Sequence, residues 1–86
     1  MHLAERVFEG FRIYAAALQV PRSLGFNAGV VVKAEPAVEG RRAEVFRDER
    51  LDDGRVWMDP DCALSYALDV GQAAVSAQRA LVATGT

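Results

Sequence analysis

One uninterrupted stretch near the C-terminus, residues 60–82, constrains the fold more than any other segment of the chain. It contains no proline after Pro60 and a single glycine, Gly71. Asp59 precedes it and can accept hydrogen bonds from free backbone N–H groups, while Pro60 suits the first helical position. Asp61 places a negative charge near the positive end of the helix dipole. The sequence therefore predicts one long helix over this stretch.

The predicted helix is apolar around most of its circumference. One broad stripe suits packing on a sheet, and it comprises Leu64, Ala67, Leu68, Gly71, Ala74, Val75, Leu81 and Val82. A second flank is also apolar, and its candidate self-association residues are Tyr66, Val70, Ala73, Ala77 and Ala80. Because alanines let two helices approach closely, this flank predicts contact with another copy or a partner. The alternative is that alanine is simply the best helix former on an indifferent surface.

Three extended segments precede the helix. Phe11–Val20 carries aromatic and β-branched residues and stops at a proline, and Phe26–Ala34 contains three successive valines. A third strand is predicted over about 42–50, after the turn formers of the preceding loop. A turn signal, Asp-Asp-Gly, then leads to an extended piece at 55–57 that is a candidate for a short fourth strand.

These elements define a single small α+β domain. We expect an antiparallel three-stranded meander, with a short fourth strand as an option, and one long C-terminal helix packed on one face. The chain has 86 residues, of which 51% are hydrophobic, and this length leaves room for one core. Residues 1–10 and 83–86 are expected to be loosely ordered. Trp57, beside the helix start, is expected to anchor the packing at that end of the core.

The reactive side chains offer no constellation for catalysis. His2 is the only histidine and Cys62 the only cysteine, which excludes an internal disulfide, a multi-thiolate zinc site and an ordinary catalytic triad. The acidic stretch 48–54 lacks the spacing of a calcium loop, and glycine-rich phosphate motifs are absent. Asp59 and Asp61 counteract the helix dipole at Cys62, which predicts an unreactive thiol. We therefore expect no enzyme activity and no metal or other cofactor.

The sequence also bears on location. No segment reaches the ~18 apolar residues that a membrane-spanning helix needs. Charges interrupt the first ten residues before a secretory apolar core can form. The single cysteine suits a reducing compartment. We expect a cytoplasmic protein that does not enter a membrane.

A basic and aromatic cluster is the candidate for nucleic-acid binding. The residues that can share the sheet face away from the helix are Arg12, Tyr14, Lys33, Arg41 and Arg42. Aromatic rings can stack on bases, and cations can pair with phosphates. The alternative is an ordinary solvated sheet face, which the net charge of −2 favours. We expect no nucleic-acid binding tighter than ~10 μM at about 150 mM salt.

The order strand, strand, strand, helix, together with the segment from Trp57 to Ala67, resembles small uncharacterised bacterial proteins of the same plan. More distantly it is similar to HicB-type antitoxins, whose third strand also leads into a helix that begins with acidic residues and an Ala-Leu pair. The likeness extends over about 11–80 in the order of elements. It rests on no specific motif, so it implies no site residue.

Binding is therefore the function class that the sequence favours. The leading hypothesis is a non-enzymatic interaction module of unknown process that works as a homodimer, with an unidentified protein partner as a further option. Its contact surface is either the second helix flank or the sheet face away from the helix. The alternative is a nucleic-acid-binding or antitoxin-like regulator that uses the basic and aromatic cluster.

Overall fold

A four-stranded antiparallel sheet with one long helix on one face forms the computed structural model, which describes residues 1–34 and 44–84. The elements, in chain order, are β1 (His2–Phe8), β2 (Phe11–Gln19), β3 (Phe26–Ala34), β4 (Glu44–Asp48), a 3-10 turn (Leu51–Asp53) and α1 (Pro60–Thr84). The strands lie in the order β1-β2-β3-β4, and each pairs with its neighbour in the chain. The α+β class, the antiparallel meander and the C-terminal helix are confirmed.

The element bounds agree closely with the sequence pattern in the second half of the meander and in the helix. β3 has the predicted bounds, β2 ends one residue early, and β4 lies inside the predicted third strand. α1 begins at Pro60 as predicted and continues to Thr84. The prediction of a loose tail over 83–86 is therefore wrong for Ala83 and Thr84, which belong to the helix. Residues 85–86 lie outside the described residues.

The expectation that residues 1–10 are loosely ordered is wrong, because His2–Phe8 form β1. β1 pairs with β2 from His2 opposite Ala17 to Phe8 opposite Phe11. Glu9 and Gly10 connect the two strands with φ values of 50° and 84°, and positive φ at both positions is the geometry of a tight two-residue hairpin. Gly10, which looks like an interruption in the sequence, is what permits this turn.

The structure has no strand at 55–57, where a short fourth strand was an option. Only Trp57 in this segment pairs with the sheet, through an isolated bridge to Phe26. The Phe26 N–H donates to the Trp57 carbonyl at 2.7 Å, and the Trp57 N–H donates to the Phe26 carbonyl at 2.8 Å. The segment thus closes the end of the core without extending the sheet.

The start of α1 is held as the sequence predicts. The Asp59 carboxylate accepts a hydrogen bond from the Asp61 N–H at 2.9 Å, and the Asp59 carbonyl accepts from the Ala63 N–H at 3.2 Å. Trp57 lies just before this start and is buried, with 8% of its surface exposed. Its ring packs on that of Tyr66 at 5.1 Å between centroids, which confirms its role as a packing anchor.

The core lies between α1 and the two central strands. Its buried residues are mostly small, and they are Ile13, Ala15, Ala17, Ala28, Val30, Val32, Leu51, Trp57, Ala63, Ala67 and Val75. Small side chains on both surfaces let the helix axis come close to the sheet. The approach is close at Gly71, where an added Cβ would collide with Ile13 Cγ2 and lie 3.1 Å from Val30 Cγ2.

Replacing Gly71 with alanine should destabilise the fold. The helix propensity gain of about 1 kcal/mol is outweighed by overpacking against buried Ile13, and a net loss of about 1–2 kcal/mol is expected. Urea denaturation at one fixed chain concentration measures it. In an Ile13→Ala background the contacted methyl group is gone, so Gly71→Ala should then cost much less or stabilise. A gain of stability in the original background would show that the helix is not held this close.

Candidate interaction surface

The face of the sheet opposite α1 is called here the open face, and the helix leaves it uncovered. Strand register arranges its side chains in rows that run across the strands. The Tyr14 row consists of Glu5, Tyr14, Val31 and Arg47. The neighbouring Ala16 row consists of Leu3, Ala16 and Gly29, with Glu49 beside Gly29. Two residues along each strand separate the rows, a spacing of about 6.7 Å.

A depression of about 390 Å³ lies over the Ala16 row. Its floor is low because Ala16 and Gly29 are paired across β2 and β3 and contribute almost no side chain. Higher side chains surround this floor, and they are Leu3, Leu18, Tyr14, Val31, Arg47 and Glu49. A Cβ on Gly29 would lie 3.3 Å from the Glu49 carbonyl oxygen, so the backbone after β4 closes one side tightly.

Tyr14 forms the ridge beside this depression. It belongs to an inner strand, yet 38% of its surface is exposed. A second, smaller depression of about 170 Å³ lies on the β1 side of the ring, lined by Leu3, Ala4, Glu5, Tyr14 and Ala15. The Tyr14 ring therefore projects between two hollows.

Large apolar side chains on the open face are accessible to solvent. Leu3 is 71% exposed and Val7 59%, and both lie on β1. Leu18 and Val31 on the inner strands are half-buried. Contiguous exposed apolar surface of this kind marks interaction sites in small proteins.

The charges of the open face are balanced. Three cations and three anions lie there within the described residues, namely Arg12, Lys33, Arg47, Glu5, Glu44 and Glu49. Arg12 pairs with Glu5 at 2.6 Å, and Arg47 pairs with Glu44 at 2.7 Å and with Glu49 at 2.8 Å. The hydrogen bonds that Arg47 donates to Glu44, and then to Glu49, raise the pKa of the Arg47 guanidinium above its ordinary value. The face therefore carries both signs and no net charge.

Three members of the predicted nucleic-acid cluster do lie together on this face. Arg12 and Lys33 are cross-strand partners, and the Lys33 ammonium lies 5.8 Å from the centre of the Tyr14 ring. Arg12 donates a hydrogen bond to the Glu5 carboxylate. The other two members, Arg41 and Arg42, lie outside the described residues.

The predicted self-association flank of the helix is divided between packed and exposed residues. The Tyr66 hydroxyl donates to Asp52 Oδ1 at 2.8 Å, which raises the pKa of Tyr66, and its ring contacts Trp57. Val70 is half-buried against the core. Ala73, Ala77 and Ala80 are exposed. The exposed part of the flank thus consists of alanine side chains.

No group of three or more His, Cys, Asp or Glu side chains in the described part of the chain could hold a metal ion. Among the described helices none is long and apolar enough to cross a membrane.

Comparison with known proteins adds no relative: no family model, no curated protein and no solved structure matches the chain.

The β1 part of the open face was missed in the sequence. Leu3, Glu5 and Val7 were not placed on the sheet, because β1 has adjacent apolar and adjacent charged residues and so lacks the alternation that indicates a half-buried strand. The depression itself depends on pairing Ala16 with Gly29. Such a pairing depends on strand register, which no local pattern specifies.

Cys62 lies in the first turn of α1 and is exposed. The negative charge of Asp59 is the main cause that raises the pKa of its thiol, and Asp61 adds to it. The direction of this shift agrees with the expected lack of reactivity, while the thiol is exposed.

Asp59→Asn should make Cys62 more reactive. Asparagine keeps the helix cap, but its neutral side chain lowers the thiol pKa and increases the thiolate fraction. The rate of alkylation by iodoacetamide at pH 8 should therefore rise several-fold, and the difference should vanish at pH values well above both pKa values. Asp61→Asn is the matched control, with a smaller expected effect. An unchanged rate in Asp59→Asn would contradict this assignment.

Proposed function

We propose that this protein is a non-enzymatic interaction module that works as a homodimer through the open face of its sheet. The observation that carries the proposal is the exposed apolar surface around the Ala16 depression, on the face that α1 leaves uncovered. A small domain that buries one face of a sheet gains further stability if a second copy covers the other face.

The charge pattern favours a second copy as the occupant. A two-fold interface brings the same patch of both copies together, so a patch of one sign would repel itself. The part of the open face formed by residues 1–34 and 44–84 has three charges of each sign around an apolar centre. Arg47 is already held by two carboxylates, so it offers little to a free anionic ligand.

The area is also sufficient for reversible association. Thirteen paired positions of the open face, each about 4.8 Å by 6.7 Å, give a flat area of about 400 Å². Two copies would bury about 800 Å², which is the size of a weak, transient interface. We therefore expect a dimer that forms at micromolar concentrations and dissociates on dilution.

The helix flank supports self-association less well. Its largest side chain, Tyr66, already uses its hydroxyl and its ring within the same chain. Its exposed part contributes only the alanines Ala73, Ala77 and Ala80, which bury little area.

The nucleic-acid-binding or antitoxin-like alternative stays a prediction. It needs an excess of positive charge, because affinity for phosphates comes from the cations that displace counterions. The balanced charges on the described part of the open face favour the dimer over this alternative.

Leu3→Glu should dissociate the dimer without unfolding the monomer. Leu3 is 71% exposed, so a glutamate there costs the isolated chain little. In a face-to-face dimer the same glutamate would be buried without a partner, and the dissociation constant should rise at least about tenfold. Sedimentation equilibrium over 1–100 μM measures the change.

Ala77→Glu is the matched control, because it places the same side chain on the exposed helix flank. It should leave the dissociation constant unchanged. A monomeric original protein at 100 μM would refute the homodimer. Dissociation by Ala77→Glu and not by Leu3→Glu would move the contact to the helix.

A further inference from the structure

We infer that the Tyr14 ring of each copy seats in the depression over Ala16 and Gly29 of the other copy. This inference rests on the proposed homodimer and specifies its geometry. Tyr14 and the depression lie in neighbouring rows of the same face. The open face therefore carries both a projection and a hollow that could receive it.

A two-fold axis between the two rows brings them together. For sheets packed face to face, an axis across the strands leaves each strand opposite the same strand of the other copy and exchanges the rows on either side of it. With the axis midway between the Tyr14 row and the Ala16 row, each row faces the other. The strands of the two sheets are then nearly aligned, as in ordinary sheet packing.

Two of the four opposed positions are complementary in this arrangement. Tyr14 faces the methyl group of Ala16, so a large side chain meets a small one. Arg47, which is paired with Glu49 of its own chain, faces Glu49 of the other copy, so charges of opposite sign meet. Val31 faces the Glu49 backbone, which lies 3.3 Å from the Cβ position of buried Gly29. The fourth position brings Glu5 near Leu3 at the edge of the sheet, where Glu5 stays paired with Arg12.

The Tyr14 ring fits the depression over Ala16 both in size and in polarity. The volume of about 390 Å³ falls in the range of about 300–1,000 Å³ found for pockets that take small ligands. Its walls are apolar apart from Arg47 and Glu49. A tyrosine presents an apolar ring to such walls and a hydroxyl that can donate to a carboxylate such as that of Glu49.

Two single variants remove opposite halves of this contact. Tyr14→Ala removes the ring and keeps the Ala16 floor of the hollow, although it lowers one wall, whereas Ala16→Leu keeps the ring and fills the hollow. Each should raise the dissociation constant of its own homodimer at least about tenfold. Tyr14→Phe keeps the ring and should change the constant much less. Thermal unfolding of each variant verifies that the monomer remains folded.

Mixing the two variants gives the decisive result. In a mixed dimer the intact Tyr14 of the Ala16→Leu copy meets the unchanged Ala16 floor of the Tyr14→Ala copy. At the other contact the new leucine occupies the space that the missing ring leaves. Native mass spectrometry of an equimolar mixture should therefore show more mixed dimer than either homodimer. A statistical mixture, or no dimer beyond that of the separate variants, would overturn the inference.

The outcome separates this inference from the proposed function. If Leu3→Glu dissociates the dimer while Tyr14→Ala and Ala16→Leu do not, the open face is the interface but the copies pack in another register. If Leu3→Glu leaves the dimer intact, the proposed function itself fails. A variant of Ala16 that does not fold leaves Tyr14→Ala against Tyr14→Phe as the test, and equal constants for these two would refute the inference.

Discussion

The close approach of α1 to β2 and β3 is the constraint on which the rest of the structure depends. Gly71 has no side chain where the helix meets Ile13 and Val30, and a Cβ there would be in steric conflict. Alanines on the strands and on the helix extend this contact along the core. Because the contact is made of small residues, the helix fits only one face of the sheet at this distance. The cap at Asp59 and the Trp57 bridge then hold the start of the helix at the end of that face.

The same arrangement leaves the other face of the sheet uncovered. An antiparallel sheet often has one solvated face, but such a face normally carries polar side chains. Here β2 and β3 place Ala16, Leu18 and Val31 on it, between charges of both signs near β1 and β4. The combination of an apolar centre with a balanced charged rim is that of a protein interface. The proposed self-association rests on this combination.

Sequence patterns with a long period or a strong local signal predicted most of the fold. The helix followed from its cap and its apolar stripe, and β3 followed from its valines. β1 was missed because Glu5 and Arg6 break its apolar pattern, and because Gly10 reads as an interruption where it makes a hairpin turn. The sequence placed Arg12, Tyr14 and Lys33 on the open face but did not predict its depression. The depression arises from the pairing of Ala16 with Gly29. Pairing of that kind depends on strand register, and a one-residue slip would turn every side chain of the strand to the other face of the sheet.

The most direct test of the central claim is to see which residues of two copies meet in solution. An isotope-filtered NOE experiment on an equal mixture of labelled and unlabelled chains reports only contacts between copies. For a homodimer through the open face, we predict intermolecular signals from the methyl groups of Leu3, Leu18 and Val31 and none from Ala73 or Ala77. Signals confined to the helix alanines, or no intermolecular signal at millimolar concentration, would contradict it.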